Sequence, residues 1–164
     1  MKIARPNLPR SGHQRELLRA KGQFWTPGWV AEFMVAYALQ DNPKQMLDPA
    51  LGEGVFFRAA KQFAKSHRFN LSLFGRDVDP EVLLRANHSG LNKDDLQHVE
   101  LRDFVLDPPA QMFPSIVANP PYIRHHRLAP SQKSELRAFA RETIGHNIDG
   151  RAGFHVYFLI IVVL

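Results

Sequence analysis

The chain has 164 residues, enough for one domain with a hydrophobic core but too few for two ordinary domains. Cysteine is absent and no apolar run reaches about 18 residues, which excludes a disulfide framework, a thiolate zinc site, cysteine nucleophilic catalysis and an ordinary membrane span. The net charge of +5 is uneven, because residues 1–21 carry +5 and residues 119–151 carry +3, whereas the segment between them is acidic.

The first predicted element is a basic arm over residues 1–21, followed by a folded domain over residues 22–164. No apolar stretch follows the basic residues of the arm, so it is not a secretory signal and we expect a cytoplasmic protein. A nucleic acid would suit both basic blocks of the chain. A solvated tail and a solvated helix face would explain the same charges, so charge alone leaves both interpretations open.

A Thr-Pro pair opens the first predicted helix of the domain, with Thr26 as N-cap and Pro27 as the first helical residue. Apolar side chains then recur at helical spacing at Val30, Phe33, Met34, Tyr37 and Ala38. Short apolar runs alternate with helical patterns along the rest of the chain. The predicted strands cover residues 45–48, 71–77, 98–101 and 115–119, and the predicted helices cover residues 55–67, 80–87, 131–142 and 154–164.

This alternation predicts an α/β fold with a parallel sheet of about four strands and helices on both faces. Such sheets bind ligands beyond the carboxyl ends of their strands. A polar residue stands at each of these ends: Asp48, Asp77, Asp103 and Asn119. A single acid there is most often a helix cap or a surface charge, but three at successive strand ends predict a binding site.

The segment from Asp48 to Gly54 predicts a tight turn between a strand and a helix. Gly52, Gly54 and the small Ala50 allow the backbone to approach a ligand closely, and the N–H groups at the start of the helix would face it. The segment matches neither the dinucleotide G-x-G-x-x-G pattern nor a P-loop, and Asp48 would repel a phosphate. A cationic or amino-bearing ligand is therefore favoured, although an ordinary tight turn would need the same residues.

Two further acids have a spacing and setting typical of nucleoside sites. Asp77 follows Gly54 at the distance along the chain at which an acid reaches ribose hydroxyls in a strand–helix–strand unit. Asp103 precedes Phe104, and an acid beside an aromatic ring can hold an exocyclic amine while the ring stacks on an adenine.

The run Asn119-Pro120-Pro121-Tyr122 predicts a stiff loop after the fourth strand. The side-chain oxygen of Asn119 and the carbonyl of Pro120 can accept both hydrogens of one amino group, and Tyr122 offers a flat face to a base. An amino nitrogen on an aromatic ring is a poor nucleophile because its lone pair is conjugated. Two acceptors draw that nitrogen towards tetrahedral geometry and stabilise the charge that develops on methylation. The alternative is a rigid proline loop without chemistry.

Together these segments resemble the S-adenosylmethionine-dependent DNA adenine-N6 methyltransferases, the gamma-like group of restriction-modification systems. The family's Phe/Tyr-Thr-Pro element corresponds to Gln23-Phe24-Trp25-Thr26-Pro27, its Asp-Pro-Ala-Cys-Gly-x-Gly to Asp48-Pro49-Ala50-Leu51-Gly52-Glu53-Gly54, and its Asn-Pro-Pro-Tyr is intact. The resemblance implies a Rossmann-like class I methyltransferase sheet.

The resemblance also implies a role for each matching residue. The residues that would flank the methionine end of S-adenosylmethionine are Phe24, Thr26 and Pro27. Its amino-acid part would be held by Asp48, Ala50, Gly52 and Gly54. Asp77 would take the ribose hydroxyls, and Asp103 with Phe104 would take the adenine. A target adenine flipped out of double-stranded DNA would be held by Asn119, Pro120, Pro121 and Tyr122.

The sequence departs from that family in several places. Leu51 replaces the usual Cys, Asp77 is often Glu in relatives, and Gly153 stands where relatives often have Asp. The chain ends inside the helix that follows the catalytic loop, whereas relatives continue with three strands and a target-recognition domain. We therefore expect the chain to be weak or inactive alone and to need that part in cis, or a specificity or C-terminal partner chain.

Two other functions fit the residues. An RNA or protein-glutamine N-methyltransferase would use the same Asn-Pro-Pro-Tyr loop, but the segments at residues 24–27 and 48–50 argue against it. An inactive truncated remnant, or a subunit that binds cofactor or DNA without turnover, would fit the end of the chain.

Overall fold

The computed structural model describes residues 25–163. The predicted basic arm, the predicted boundary after residue 21 and Phe24 lie outside the described residues. The described part forms two compact units, one made of residues 28–120 and one made of residues 25–27 and 121–163. The residues for which a cofactor role is predicted fall mainly in the first unit.

The first unit alternates helices and strands in chain order. Its elements are α1 (Gly28–Ala38), β1 (Gln45–Asp48), α2 (Val55–His67), β2 (Ser72–Asp77), α3 (Val82–His88) and β3 (Val99–Leu101). The second unit contains a short 3₁₀ turn, His125–Arg127, followed by α4 (Pro130–Ile144) and α5 (Phe154–Val163). The predicted bounds of β1 and α2 are confirmed, and those of most other elements differ by one or two residues at their ends.

The three strands form a parallel sheet in the order β3-β2-β1, with Leu47 of β1 opposite Phe74 of β2. On its other side, β1 pairs with the segment around Ile116. There the N–H of Leu47 donates to the carbonyl of Ser115 at 2.9 Å, and the N–H of Val117 donates to the carbonyl of Leu47 at 3.0 Å. The order along the sheet is therefore β3-β2-β1 followed by this segment, with β1 inside.

The fourth predicted strand, over residues 115–119, is wrong in its extent. A single parallel bridge between Leu47 and Ile116 forms in its place. Pro114 and Pro120 stand on either side of the segment, and a proline has no N–H to add to a sheet ladder. The pairing is therefore confined to the few residues between them.

The core of the first unit lies between the sheet and its helices. The fully buried Met46 and Leu47 give β1 the nearly continuous apolar character of an interior parallel strand. Helix α2 has an apolar side, which buries Phe56, Phe57, Ala59, Ala60 and Ala64. The core side chains from helices and loops include Leu51, Phe56, Phe57, Ala60, Val82, Ala86 and Leu91.

Helix α1 begins at Gly28, one residue after the predicted start at Pro27, and its buried face is not the predicted one. Ala31 and Val35 are fully buried, whereas Phe33 and Tyr37 are each 71% exposed. Met34 and Ala38, which belong to the predicted face, do pack against the core. Nearly every position of α1 is apolar, so the periodicity could not select the side that faces the sheet.

In the second unit, α4 starts at Pro130, where the first turn of a helix needs no N–H donor. The side-chain oxygen of Gln132 accepts the N–H of Ala129 at 3.0 Å, and Gly145 ends the helix in the left-handed conformation. Helix α4 packs on α5 through its buried side, which carries Leu136. Of the helices in residues 25–163, none is both long and apolar enough to cross a membrane.

Gly54 is the residue from which the backbone enters α2, and two separate constraints require glycine there. Its φ is +70°, a left-handed conformation that side chains disfavour. A Cβ atom at this position would also overlap the Cδ1 atom of Leu91, which is buried in the core. Gly145 has nearly the same φ, +71°, but a Cβ there would meet open space.

We expect Gly54→Ala to lower the free energy of unfolding by roughly 2–4 kcal/mol, since it combines backbone strain with overpacking of the core. Gly145→Ala carries only the backbone strain and should cost roughly 1 kcal/mol. Urea titration of the two variants and the parent chain measures both effects. Equal losses in the two variants would show that Leu91 yields freely and would contradict the packing argument.

Candidate active site

Acidic side chains lie at the carboxyl edge of the sheet in the first unit. Asp48 is the last residue of β1, Asp77 is the last residue of β2, and Asp103 comes two residues after β3. Because the strands are parallel and adjacent, their carboxyl ends share one edge. The sheet thus brings together the three acids that the sequence pattern singled out.

Asp48 is fully buried. Its Oδ1 atom accepts the N–H of Ala50 at 3.1 Å, and no partner for its Oδ2 atom is found among the described residues. Burial raises the pKa of Asp48 to about 7; the bond from Ala50 opposes this rise, and the nearby charge of Asp77 adds to it. Near neutral pH this carboxyl is therefore present in both its protonated and its charged form, and among the described residues no positively charged partner is found for it.

The turn after β1 is attached to the end of β2 by two hydrogen bonds. The N–H of Gly52 donates to Oδ2 of Asp77 at 2.9 Å, and the N–H of Leu51 donates to the carbonyl of Arg76 at 3.0 Å. The other carboxylate oxygen of Asp77 accepts the N–H of Asp79 at 2.9 Å. The Asp77 carboxylate is thus held in place by backbone donors on both sides, and each oxygen retains a lone pair for a further donor.

Asp103 organises the loop after β3. Its Oδ1 atom accepts the N–H groups of Val105 at 2.7 Å and Leu106 at 2.9 Å. Neither contact uses Oδ2. The neighbouring Phe104 is 3% exposed, so its ring belongs to the packed interior rather than to an open surface on which an adenine could stack. The predicted stacking role of Phe104 stays a prediction.

A buried arginine that the sequence reading did not single out supports this edge of the sheet. Arg76 is 5% exposed, pairs with Glu100 at 2.8 Å and donates to the carbonyl of Asp107. It thereby connects β2 with the loop that contains Asp103. In the sequence, Arg76 could have been recognised as a charged residue in a mostly apolar strand, directly before the acid Asp77 that ends the strand.

Asn119 and Pro120 lie at the end of the first unit, two and three residues after the buried Val117 that pairs with β1. Both residues are partly exposed. Their position follows from the pairing of Val117 with the carbonyl of Leu47, which fixes where the segment leaves the sheet. The predicted catalytic amide therefore emerges beside the strand that ends in Asp48.

The other predicted site residues belong to the second unit. Tyr122 is 47% exposed, and its ring centre lies 5.3 Å from that of His155 in α5, with the planes tilted by 39°. The Nδ1 atom of His155 is buried without a hydrogen-bond partner in the described part of the chain. The sequence reading missed His155, and no signal but its proximity in the fold marks it. Thr26, Pro27 and Pro121 also fall in this unit.

Comparison with known proteins gives one family for nearly the whole chain. The family model described as N-6 DNA Methylase matches residues 13–159. Type II methyltransferase M.XamI from Xanthomonas campestris pv. amaranthicola is 30% identical over 85% of this chain and 26% of its own length. Type II methyltransferase M.TthHB8I from Thermus thermophilus is 31% identical over 71% of this chain and 24% of its own length. The chain thus spans about a quarter of the length of these curated relatives.

Two solved structures share the fold. One is described as a class I S-adenosylmethionine-dependent methyltransferase from Listeria monocytogenes. The match covers 82% of this chain and 40% of the Listeria chain, with a TM-score of 0.57 and 16% sequence identity. The type I restriction-modification system methyltransferase subunit from Streptococcus thermophilus matches 86% of this chain and 31% of its own, with a TM-score of 0.64 and 20% identity. The predicted α/β class I methyltransferase fold is confirmed.

The buried Asp48 carboxyl makes stability depend on pH. Its folded pKa is raised to about 7, so between about pH 4 and pH 7 the folded protein holds a proton that the unfolded chain has released. The contribution of Asp48 to stability therefore falls as pH rises through that window and is level above it. We expect Asp48→Asn to be more stable than the parent at pH 8, by up to roughly 4 kcal/mol, and equally stable near pH 4.

Urea unfolding at pH 4, 6 and 8 measures this difference. Asp94→Asn is the matched control, because Asp94 is exposed and lies in the same unit. Its stability relative to the parent should not change with pH. An Asp48→Asn variant that is no more stable than the parent at pH 8 would contradict the assigned cost of burial.

Proposed function

Since the chain belongs to the N-6 DNA methylase family, we propose that it forms the cofactor-binding and catalytic part of a DNA methyltransferase. The proposed reaction transfers a methyl group from S-adenosylmethionine to the N6 amino group of adenine. The observation that carries the proposal is the carboxyl edge of the sheet, where Asp48, Asp77 and Asn119 follow neighbouring strands of one unit.

The residues at this edge suit the chemistry of S-adenosylmethionine. Asp48 has a buried carboxylate oxygen without a partner in the described residues, and an α-amino group would supply the missing donor and counter-charge. Asp77 is held rigidly by backbone donors and still has acceptor capacity for ribose hydroxyls. The left-handed glycine backbone of the turn leaves room for a close approach at Gly52.

When bound, S-adenosylmethionine supplies an electrophilic methyl group attached to a sulfonium sulfur. The chain's own contribution is to prepare the accepting amine. The Oδ1 atom of Asn119 and the carbonyl of Pro120 would accept the two hydrogens of the adenine amino group. Tyr122, which follows after one more proline, would stack on the flipped base. Positioned acceptors aimed at developing positive charge need no strong base nearby.

The DNA contacts of the whole enzyme extend beyond this chain in the proposal. The chain matches about a quarter of the length of its curated relatives, so sequence recognition is assigned to further residues or to a partner subunit. One structural neighbour is itself described as a subunit of a type I restriction-modification system. This supports a partner but does not identify one.

The proposed role of Asp77 is tested by calorimetry with S-adenosylhomocysteine. We expect Asp77→Ala to weaken binding about 10- to 100-fold, because one or two hydrogen bonds to a charged acceptor are lost. Asp94→Ala makes the same change on the surface of the same unit and should bind as the parent does. Asp77→Asn is a second variant that separates loss of binding from misfolding, because its side-chain oxygen can still accept the N–H of Gly52. Parent-like binding in both Asp77 variants would remove Asp77 from the site.

The proposed role of Asn119 is tested by tritium transfer from labelled S-adenosylmethionine to duplex DNA, with the protein in excess over DNA. Removing one of two acceptors should lower the transfer rate about 10²–10³-fold in Asn119→Ala and leave S-adenosylhomocysteine binding intact. Asn70→Ala, at an exposed position, is the control. Label on cytosine, or near-normal transfer by Asn119→Ala, would overturn the adenine-N6 mechanism, and no transfer by the parent would show that the reaction needs further residues or a partner chain.

A further inference from the structure

Helix α4 carries a basic stripe, defined here as Lys133, Arg137 and Arg141. These residues are four positions apart, so they follow one another along one side of the helix. Glu135 and Glu142 lie on roughly the opposite side. The charges of α4 are therefore sorted by sign between two faces.

This arrangement differs from that of an ordinary solvated helix. Exposed helices usually place opposite charges four residues apart, which is favourable, whereas equal charges at that spacing repel each other. Within residues 25–163, no ion pair to a carboxylate is found for any residue of the basic stripe. The helix thus keeps a repulsive row of cations that its own acids do not neutralise.

The surface between the cations is concave. A shallow groove of about 420 Å³ is lined by the three residues of the basic stripe and by Pro130, Ser134 and Ala138. The small side chains of Ser134 and Ala138 lie between the long basic ones and leave the depression. A chain of phosphates could enter this groove and meet a cation at each turn of the helix.

A neighbouring side chain orients one guanidinium group of the stripe. Arg141 donates through its Nε and Nη2 atoms to Oδ1 of Asn147, at 3.2 and 3.0 Å, which fixes its plane and leaves Nη1 for another acceptor. Gly150 lies so close to Arg137 that a Cβ atom there would meet its Nη2 atom. The stripe is therefore partly ordered before any ligand arrives, which lowers the entropy cost of binding.

We propose that the basic stripe of α4 binds the phosphate backbone of double-stranded DNA; the choice of DNA among polyanions rests on the proposed function. The stripe extends about 12 Å along the helix axis, a length over which one DNA strand carries three or four phosphates. Contacts of this kind position the duplex and carry no sequence information. The stripe would therefore be a sequence-independent docking surface in the same unit as Tyr122.

The test is the salt dependence of binding to a short fluorescent DNA duplex, measured by anisotropy between about 50 and 200 mM salt. We expect the triple variant Lys133→Gln, Arg137→Gln, Arg141→Gln to weaken binding about 10- to 100-fold at the lower salt concentration. The slope of log K against log salt concentration should become shallower by about 2–3, since each lost phosphate contact removes about 0.9. Circular dichroism and S-adenosylhomocysteine binding check that the variant is folded.

The matched control removes three exposed lysines from the other unit, in Lys44→Gln, Lys65→Gln, Lys93→Gln. It has the same net charge as the stripe variant and should bind DNA nearly as the parent does. An equal loss of affinity in the two triple variants would show that net charge alone accounts for the loss, and it would overturn the proposal. A parent chain without salt-dependent affinity for DNA would overturn it too.

Two further outcomes separate this proposal from the proposed function. If the stripe variant loses binding to duplex RNA but not to duplex DNA, the surface serves RNA and the proposal fails. The stripe variant could lose DNA binding while the parent transfers no methyl group and binds no S-adenosylhomocysteine. That result would support DNA binding by the basic stripe and contradict the proposed function.

Discussion

The hydrogen bond from the N–H of Gly52 to the carboxylate of Asp77 closes the turn after β1 onto the end of β2. It fixes the position of the turn relative to the carboxylate at the end of β2. A second hydrogen bond, from the N–H of Leu51 to the carbonyl of Arg76, lies beside it and connects the same two segments through their backbones. The left-handed backbone at Gly52 and Gly54 is what lets the turn present its N–H groups in this direction.

The acids at this edge are chemically unequal, although the sequence presents them alike. Asp77 receives backbone N–H donors on both oxygens, and Asp103 binds two N–H groups of its own loop. Asp48 receives a single donor and is fully buried, so its charged form is costly. A buried carboxyl with a raised pKa and an oxygen that has no partner among the described residues is typical of a functional site.

Much of the first unit could be predicted because its signals are local. The limits of β1 and α2 follow from a short apolar run, two turn glycines and a helical repeat, and the acids follow directly from where the strands end. The buried face of α1 could not be predicted, since Phe33 and Ala31 are equally apolar and only contact with the sheet separates them. The length of the fourth strand depended on prolines that lie just outside it. The division into two units, and the proximity of His155 to Tyr122, depend on long-range packing that no local pattern contains.

The interior position of β1 has a consequence for synthesis on the ribosome. Both neighbours of β1 are translated after it, first β2 and, much later, the segment around Ile116. When α2 and β2 have emerged and folded back, the second edge of β1 still has unpaired N–H and C=O groups beside apolar side chains. The nascent chain therefore passes through a stage with an open sheet edge. That stage ends only when the residues immediately before the Asn-Pro-Pro-Tyr loop have left the ribosome, so the second edge of β1 is paired at the same point in synthesis at which the proposed catalytic amide emerges.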